Sequence, residues 1–228
     1  MCGRYTIAKP KRVLAVFAPR TVTADLGHPR YNIAPMQKVP VVTGPRNERT
    51  ISDCQWGLVP GWADNPSIGS RMINARGETV EVKPAFKQAF RTGRCLLPAD
   101  GFYEWRSTGR DKQPFWIHAP EDEPFAFAGL CAEWRNRDTG SILKSCTILT
   151  READGSMAGI HDRMPVIVPD SMWDAWLDTS RPAGTLLAEV LAASRGRPLV
   201  TTMVSKLVNS PANDSEKCIS PVADDGSA

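Results

Sequence analysis

The feature that most restricts the fold is a succession of short β-rich runs in the second half of the chain. They fall at residues 94–97, 101–106, 115–118, 125–130 and 144–150. Apolar, aromatic and β-branched residues fill them, and turn-forming segments separate them. One separator, residues 107–113 with Gly109, reads as a polar hairpin loop. Strands joined by hairpins pair antiparallel, and runs this short enclose a core only by bending around it. Residues 39–43, 50–58, 166–168 and 199–204 read as further strands, and 30–36 as an extended loop. Helical patterns are fewer. They cover residues 9–17, 84–91 with Pro84 in the first turn and Gly93 as C-cap, 153–160, 171–177 behind an Asp170 N-cap, and 183–193. The expectation is a single α+β domain over 1–228, a bent antiparallel, barrel-like β core flanked by short helices. Its ordered part is expected over about 2–221, with a frayed tail at 222–228.

A chain of 228 residues, 42% hydrophobic, can bury a full core of this kind. No apolar run is long enough to cross a bilayer and no signal-peptide core opens the chain, so a soluble, cytoplasmic protein without membrane contact is expected. The net charge of +3 neither demands nor excludes nucleic acid, because Lys and Arg are spread out and a basic groove would have to be assembled by folding. Six cysteines occur, Cys2, Cys54, Cys95, Cys131, Cys146 and Cys218, with no CxxC spacing, and His28, His118 and His161 are scattered. Such a pattern supports reduced thiols and no metal site.

Cys2 stands apart. Trimming of Met1 would leave it as the N-terminus, with an α-amine (pKa about 7.7–8) and a thiol (about 8.5) on one residue. Both are then partly nucleophilic near neutral pH, and together they can attack one carbon in succession. An aldehyde would give an imine and then a thiazolidine ring; an ester or amide would give acyl transfer. The plainer reading is a buried core thiol.

Four other clusters carry possible chemistry, each with a plainer alternative. Asn74-Ala75-Arg76-x-Glu78-Thr79 sets an amide and a guanidinium on one face of an extended chain; alternatively Arg76 simply pairs with Glu78. Glu104, in Gly101-Phe102-Tyr103-Glu104-Trp105, shares a face with Phe102. An inward face would desolvate it and raise its pKa; an outward one would leave it in water. His161, followed by Arg163-Met164-Pro165, is the best-placed group for titration near pH 7, with Arg163 expected to disfavour its cation. Trp56-Gly57-x-x-Pro60-Gly61-Trp62 offers either a stacking surface for bases or a core aromatic cluster. No phosphate-binding loop and no nucleophile elbow is present, and Ser141-x-x-Lys144 fits S-x-x-K without its companion motifs.

These motifs, with Cys2-Gly3-Arg4-Tyr5 and Tyr31-Asn32-x-Ala34-Pro35, occur in an order that closely resembles the SOS-response-associated peptidase (SRAP) domain family. The resemblance runs from Cys2 to about Pro221. It implies a compact α+β domain with a barrel-like β core and a basic cleft, acting as sensor and shield for abasic sites in single-stranded DNA. Cys2 would form the covalent thiazolidine crosslink, Asn74 would position the sugar, Glu104 would act as acid and base, and His161 would supply a second proton transfer. Arg4 and Arg76 resemble phosphate contacts, and Pro35 with Trp62 a wedge and stacking platform. Lys83 is nearest to the family's basic residue at the next helix, where Pro84 disturbs the spacing. The resemblance implies no cofactor, a monomer, and work beside the replication machinery, associated with the nucleoid in a bacterium. Two rivals remain open at this point: a thiol (auto)peptidase using Cys2, and a non-covalent reader of damaged or modified DNA.

Overall fold

The structure, a computed structural model, describes residues 2–109 and 111–222. Met1 and the expected frayed tail beyond Val222 lie outside the described residues. In chain order the strands are β1 Arg4–Ile7, β2 Thr21–Val22, β3 Arg30–Ile33, β4 Lys38–Thr43, β5 Thr50–Trp56, β6 Asn74–Arg76 and β7 Arg94–Ala99. They continue as β8 Gly101–Thr108, β9 Asp111–His118, β10 Phe125–Arg135, β11 Ile142–Glu152, β12 Arg163–Pro165, β13 Ile167–Val168 and β14 Val200–Met203. Among the described residues four α-helices accompany them: α1 Pro10–Phe17, α2 Pro84–Thr92, α3 Trp173–Leu177 and α4 Ala183–Ala193.

Strands β5, β4, β7, β10 and β11 pair in that order, and β11 returns to β5, so the sheet closes into a five-strand barrel. All the ladders in the ring are antiparallel except the closing one, where Ser145 and Cys146 run parallel to Gln55 and Trp56. An odd ring cannot alternate direction all the way round, so one parallel seam is unavoidable. A second sheet, β14-β9-β8-β1-β3, packs beside the barrel. Tyr5 joins the two: its ring meets Trp56 edge-on at 5.3 Å and Phe127 at 5.9 Å. Aromatic pairs in this geometry add to the burial that holds the core.

The helices follow from their sequences. Pro10 and Pro84 occupy first turns, where a missing N–H costs nothing. Val13 and Phe17 of α1, and Phe86, Ala89 and Phe90 of α2, recur at helical spacing and are buried. Gly93 follows α2 as expected, but its φ is −129°, so it is not a left-handed cap. It is glycine because a Cβ there would lie 2.2 Å from the Cys131 carbonyl oxygen of β10.

Several expectations need correction. The loop over 30–36 contains β3, followed by a turn with Pro35 at its first corner and Met36 at φ 69°. The hairpin loop over 107–113 is shorter, because β8 runs to Thr108 and β9 begins at Asp111. The helix over 153–160 reduces to a 3-10 turn, Gly155–Met157, opened by Gly155 at φ 55°. Asp170 makes no side-chain cap; a 3-10 turn, Asp170–Met172, leads into α3 instead.

Candidate active site

The end of β11 gathers motifs that lie far apart in sequence. Thr150 faces Arg76 of β6 on one side and Pro165 of β12 on the other. The Asn-Ala-Arg and His-x-Arg-Met-Pro segments therefore flank one strand. On the neighbouring sheet, β1 lies against β8, with Arg4 opposite Tyr103. The chain start thereby runs past Glu104, the next residue of β8.

Cys2 is fully buried. The Asn74 side-chain amide donates from Nδ2 to the Cys2 carbonyl at 2.8 Å, which fixes the start of the chain against β6. The other end of that amide, Oδ1, is buried with no hydrogen-bond partner among the described residues. The Cys2 thiol reaches the Arg4 carbonyl only at 3.8 Å. Burial pushes this thiol well above the ordinary cysteine range, and the nearby Glu104 carboxylate pushes it further.

Glu104 takes the inward face: it is 2% exposed. Burial raises its carboxyl to about 7, with the Asp162 charge acting in the same direction. A carboxyl held there exchanges protons readily at neutral pH.

His161 sits at the partly open side, and burial lowers its pKa. The Arg163 amide donates to His161 Nδ1 at 2.9 Å, while Asp162 Oδ1 stands 2.7 Å from the same nitrogen. One nitrogen cannot both accept from the amide and donate to the carboxylate. The backbone amide is fixed and Asp162 is an exposed side chain, so we assign Nδ1 as the acceptor and place the ring proton on Nε2. Arg163 does not act on His161 through its charge, as the sequence suggested. Its guanidinium turns away to Glu78, held by two bonds of 2.8 Å, and to the Thr150 carbonyl. Glu78 is therefore taken by Arg163, and Arg76 is left exposed on β6.

The other sequence candidates are more dispersed. Arg4 Nη1 donates to Asn32 Oδ1 at 2.9 Å and to the Val208 carbonyl at 2.6 Å, and Nη2 to the Asn209 carbonyl at 3.1 Å. The Arg4 head thus ties the chain start to the 206–209 turn. Pro35 occupies its turn half-buried, and Lys83 is exposed just before α2. The two tryptophans of the Trp-Gly segment separate. Trp56 is fully buried and donates to the Ile73 carbonyl at 2.9 Å, whereas Trp62 is 56% exposed.

Sequence reasoning gave no role to Asn32 or Asp162. Asn32 is buried, and its Nδ2 donates to the carbonyls of Val208, Ser210 and Asn213 at 3.1, 2.9 and 2.8 Å. No sequence signal pointed to it, because residues 30–36 read as a loop, where an asparagine is ordinary. Asp162 carried no signal beyond its place beside His161. Among the described residues, no three or more His, Cys, Asp or Glu are grouped to hold a metal ion, and no helix is long and apolar enough to cross a membrane.

Comparison with known proteins identifies the family. The family model described as SOS response associated peptidase (SRAP) matches residues 1–211. The abasic site processing protein YoqW of Bacillus subtilis is 37% identical over 222 residues, covering 96% of this chain and 99% of its own. The abasic site processing protein YedK of Escherichia coli is 28% identical and covers 97% of this chain and 100% of its own. A solved structure from Bacteroides thetaiotaomicron shares the fold at a TM-score of 0.82 with 21% identity, covering 97% of this chain and 100% of its own. A phage-related protein from Bordetella bronchiseptica, 31% identical, gives 0.70 over 90% of this chain and 95% of its own. With its motifs gathered at one strand end and the family matched over most of its length, the chain belongs to the SRAP family.

Proposed function

We propose that this chain processes abasic sites in single-stranded DNA by capturing the lesion as a thiazolidine on Cys2. The observation that carries the reading is the setting of Cys2: a terminal-segment cysteine pinned by Asn74 and placed beside a buried carboxyl raised to about 7. Relatives named for abasic site processing support the substrate.

The reaction requires removal of Met1. The freed Cys2 amine adds to the C1′ aldehyde of the ring-opened deoxyribose. Protonated Glu104 gives its proton to the departing hydroxyl, which leaves as water, and a protonated imine remains, its nitrogen still carrying one hydrogen. Glu104 is now a carboxylate. The Cys2 thiol, held above its usual pKa, enters as S–H; its proton passes to Glu104 as sulfur bonds the imine carbon and the ring nitrogen becomes an amine. One glutamate thus serves as acid and then as base. Ring closure is intramolecular, where effective concentration is very high, so the product outlasts an ordinary imine. Asn74 Oδ1 would accept from a sugar hydroxyl, and His161 would move a proton at Nε2 as the sugar opens or the adduct reverses.

Trp62 would stack in the gap left by the missing base, with Pro35 as wedge and Arg76 and Lys83 on phosphates. Arg4 would add a phosphate contact only through donor capacity beyond its bonds to Asn32 and the 208–209 carbonyls.

Intact mass after mixing with an abasic single-stranded oligonucleotide tests the proposal. The expected product is protein without Met1, plus DNA, minus one water, stable to denaturation. Trimmed protein with no adduct would return the non-covalent reader or the peptidase; retained Met1 would end the mechanism at its first step.

A further inference from the structure

Four of the remaining cysteines form a second thiol site. Cys54, Cys95, Cys131 and Cys146 lie on β5, β7, β10 and β11, four of the five barrel strands. Strand alternation puts all four on one face of the sheet: Cys131 stands opposite Cys146, Cys95 opposite Gly129 two residues before Cys131, and Cys54 two residues before Trp56, which stands opposite Cys146. The thiols are close enough to shift one another's titration. Cys54 and Cys131 lie on strands that are not neighbours in the ring, so these two meet only across the lumen. Gly129 makes room, since a Cβ there would lie 3.0 Å from the Cys95 sulfur. All four thiols are free.

The backbone selects one pair for bonding. Cys131 and Cys146 are direct partners across the β10–β11 ladder. The Cys131 amide donates away from β11, to the Gly93 carbonyl at 2.6 Å, and the Cys146 carbonyl accepts from Gly57 at 2.8 Å on its far side. The two residues therefore form a non-hydrogen-bonded pair, whose Cα atoms stand about 4.5 Å apart, within the span of a disulfide. Cys54 interacts with the Cys131 thiol but sits two strands away, roughly 8 Å between backbones across a closed five-strand ring at about 4.8 Å per strand. That separation is too wide for a disulfide without backbone movement.

We infer that the barrel's thiol layer is an oxidative modification site, in which hydroperoxides convert Cys131 and Cys146 to a cross-strand disulfide. Cys131 is first to react. It is half-buried and lines a cavity of about 410 Å³ with Thr43, Gly44, Gly93, Leu177 and Thr179. The peroxide O–O bond breaks; one oxygen bonds the Cys131 sulfur as a sulfenic acid and the other leaves, with the thiol proton, as water from hydrogen peroxide or as an alcohol from an organic hydroperoxide. Cys146 sulfur then displaces the sulfenic hydroxyl, which departs as water with the Cys146 proton. Two thiols have lost two electrons and the peroxide has gained them. Against an opposing effect from Cys54, the Cys95 thiol, with burial behind it, raises Cys131, and burial raises Cys146, so both thiols stay protonated and the reaction is slow and quickens as pH rises.

The test needs no DNA and stands apart from the proposal for Cys2. Folded wild-type protein is treated with millimolar hydrogen peroxide, remaining thiols are alkylated under non-reducing denaturation, and peptides are mapped. The expected result is a Cys131–Cys146 linkage, two hydrogens lighter than the thiol pair and released by a dithiol reductant. It should persist in Cys54→Ser and in Cys2→Ser. Cys131 and Cys146 recovered fully alkylated after Cys2 has been oxidised would overturn the inference. So would a linkage that forms only after unfolding, or one that disappears in Cys54→Ser.

Discussion

Cys2 and Cys146 are both fully buried, and burial pushes both thiols above the ordinary cysteine range. By that measure they are alike. Their company differs. Cys146 faces other thiols within the barrel, and a backbone amide holds its carbonyl. Cys2 has a carboxyl raised to about 7 beside it, and a side-chain amide holds its carbonyl. A buried thiol is a poor nucleophile on its own. A neighbour able to take its proton at neutral pH changes that. On the proposed reading, that difference assigns fast carbonyl chemistry to Cys2 and only slow oxidation to the barrel.

The largest expected effect breaks the comparison outright. Cys2→Ala should leave no heat-stable adduct with an abasic oligonucleotide, whereas Cys146→Ala should keep the adduct and lose about 1–2 kcal/mol of stability from the cavity it opens. Denaturing gels and urea titration read the two outcomes. An adduct in Cys2→Ala that is missing in Cys146→Ala would exchange the roles.

Next comes the carboxyl. Glu104→Gln keeps the shape but cannot shuttle a proton, so capture should slow by about 10²–10⁴-fold. The wild-type rate should bend near pH 7, where Glu104 titrates, and the variant should lose that bend. Stability should move the other way. The folded pKa of Glu104 lies above its unfolded value, so below the usual carboxylate range both states hold the proton and nothing is lost. Between that range and about 7 the unfolded chain releases it first, and stability falls as pH rises. Glu104→Gln escapes this loss. Its melting temperature should gain on wild type between pH 5 and pH 8, by at most about 3 kcal/mol in stability. Equal pH dependence in both proteins would remove Glu104 from its buried setting.

Why that setting was only half legible in the sequence is a matter of distance. Strand periodicity showed that Phe102 and Glu104 share a face, and the α+β barrel followed from the short β runs. Which face turns inward depends on β1 lying against β8, a pairing across about a hundred residues. The same limit hid the parallel seam, the Arg163–Glu78 pair and the convergence of four cysteines, each of which exists only after barrel closure. Asn32 read as an ordinary loop residue, so neither its strand nor its partners at 208–213 could be seen. Gly93 was legible as the end of a helix, while its reason, the approach of Cys131, was not.

A smaller effect extends the contrast from sulfur to indole. Trp56 is core and Trp62 is 56% exposed. Trp62→Ala should weaken binding to abasic single strands by about 1–3 kcal/mol, the worth of one stacked base, with stability almost unchanged. Trp56→Ala should cost about 3–5 kcal/mol of stability. Fluorescence anisotropy and thermal melts separate them, and unchanged DNA affinity in Trp62→Ala would take that ring out of the cleft.

The mildest change concerns what holds the two carbonyls. Gly57 holds Cys146 through its backbone, which no substitution removes, but Asn74 holds Cys2 through a side chain. Asn74→Ala deletes one hydrogen bond at the site, worth about 1 kcal/mol, so capture should slow roughly five-fold. Asn74→Asp removes the donor and adds a charge near Glu104, which should raise the Glu104 pKa further and move the bend in the rate profile to higher pH. Single-turnover rates across pH 5 to 9 read both effects. A slower rate with an unmoved bend in Asn74→Asp would mean that Asn74 only anchors the chain start, and that Glu104 is tuned by burial alone.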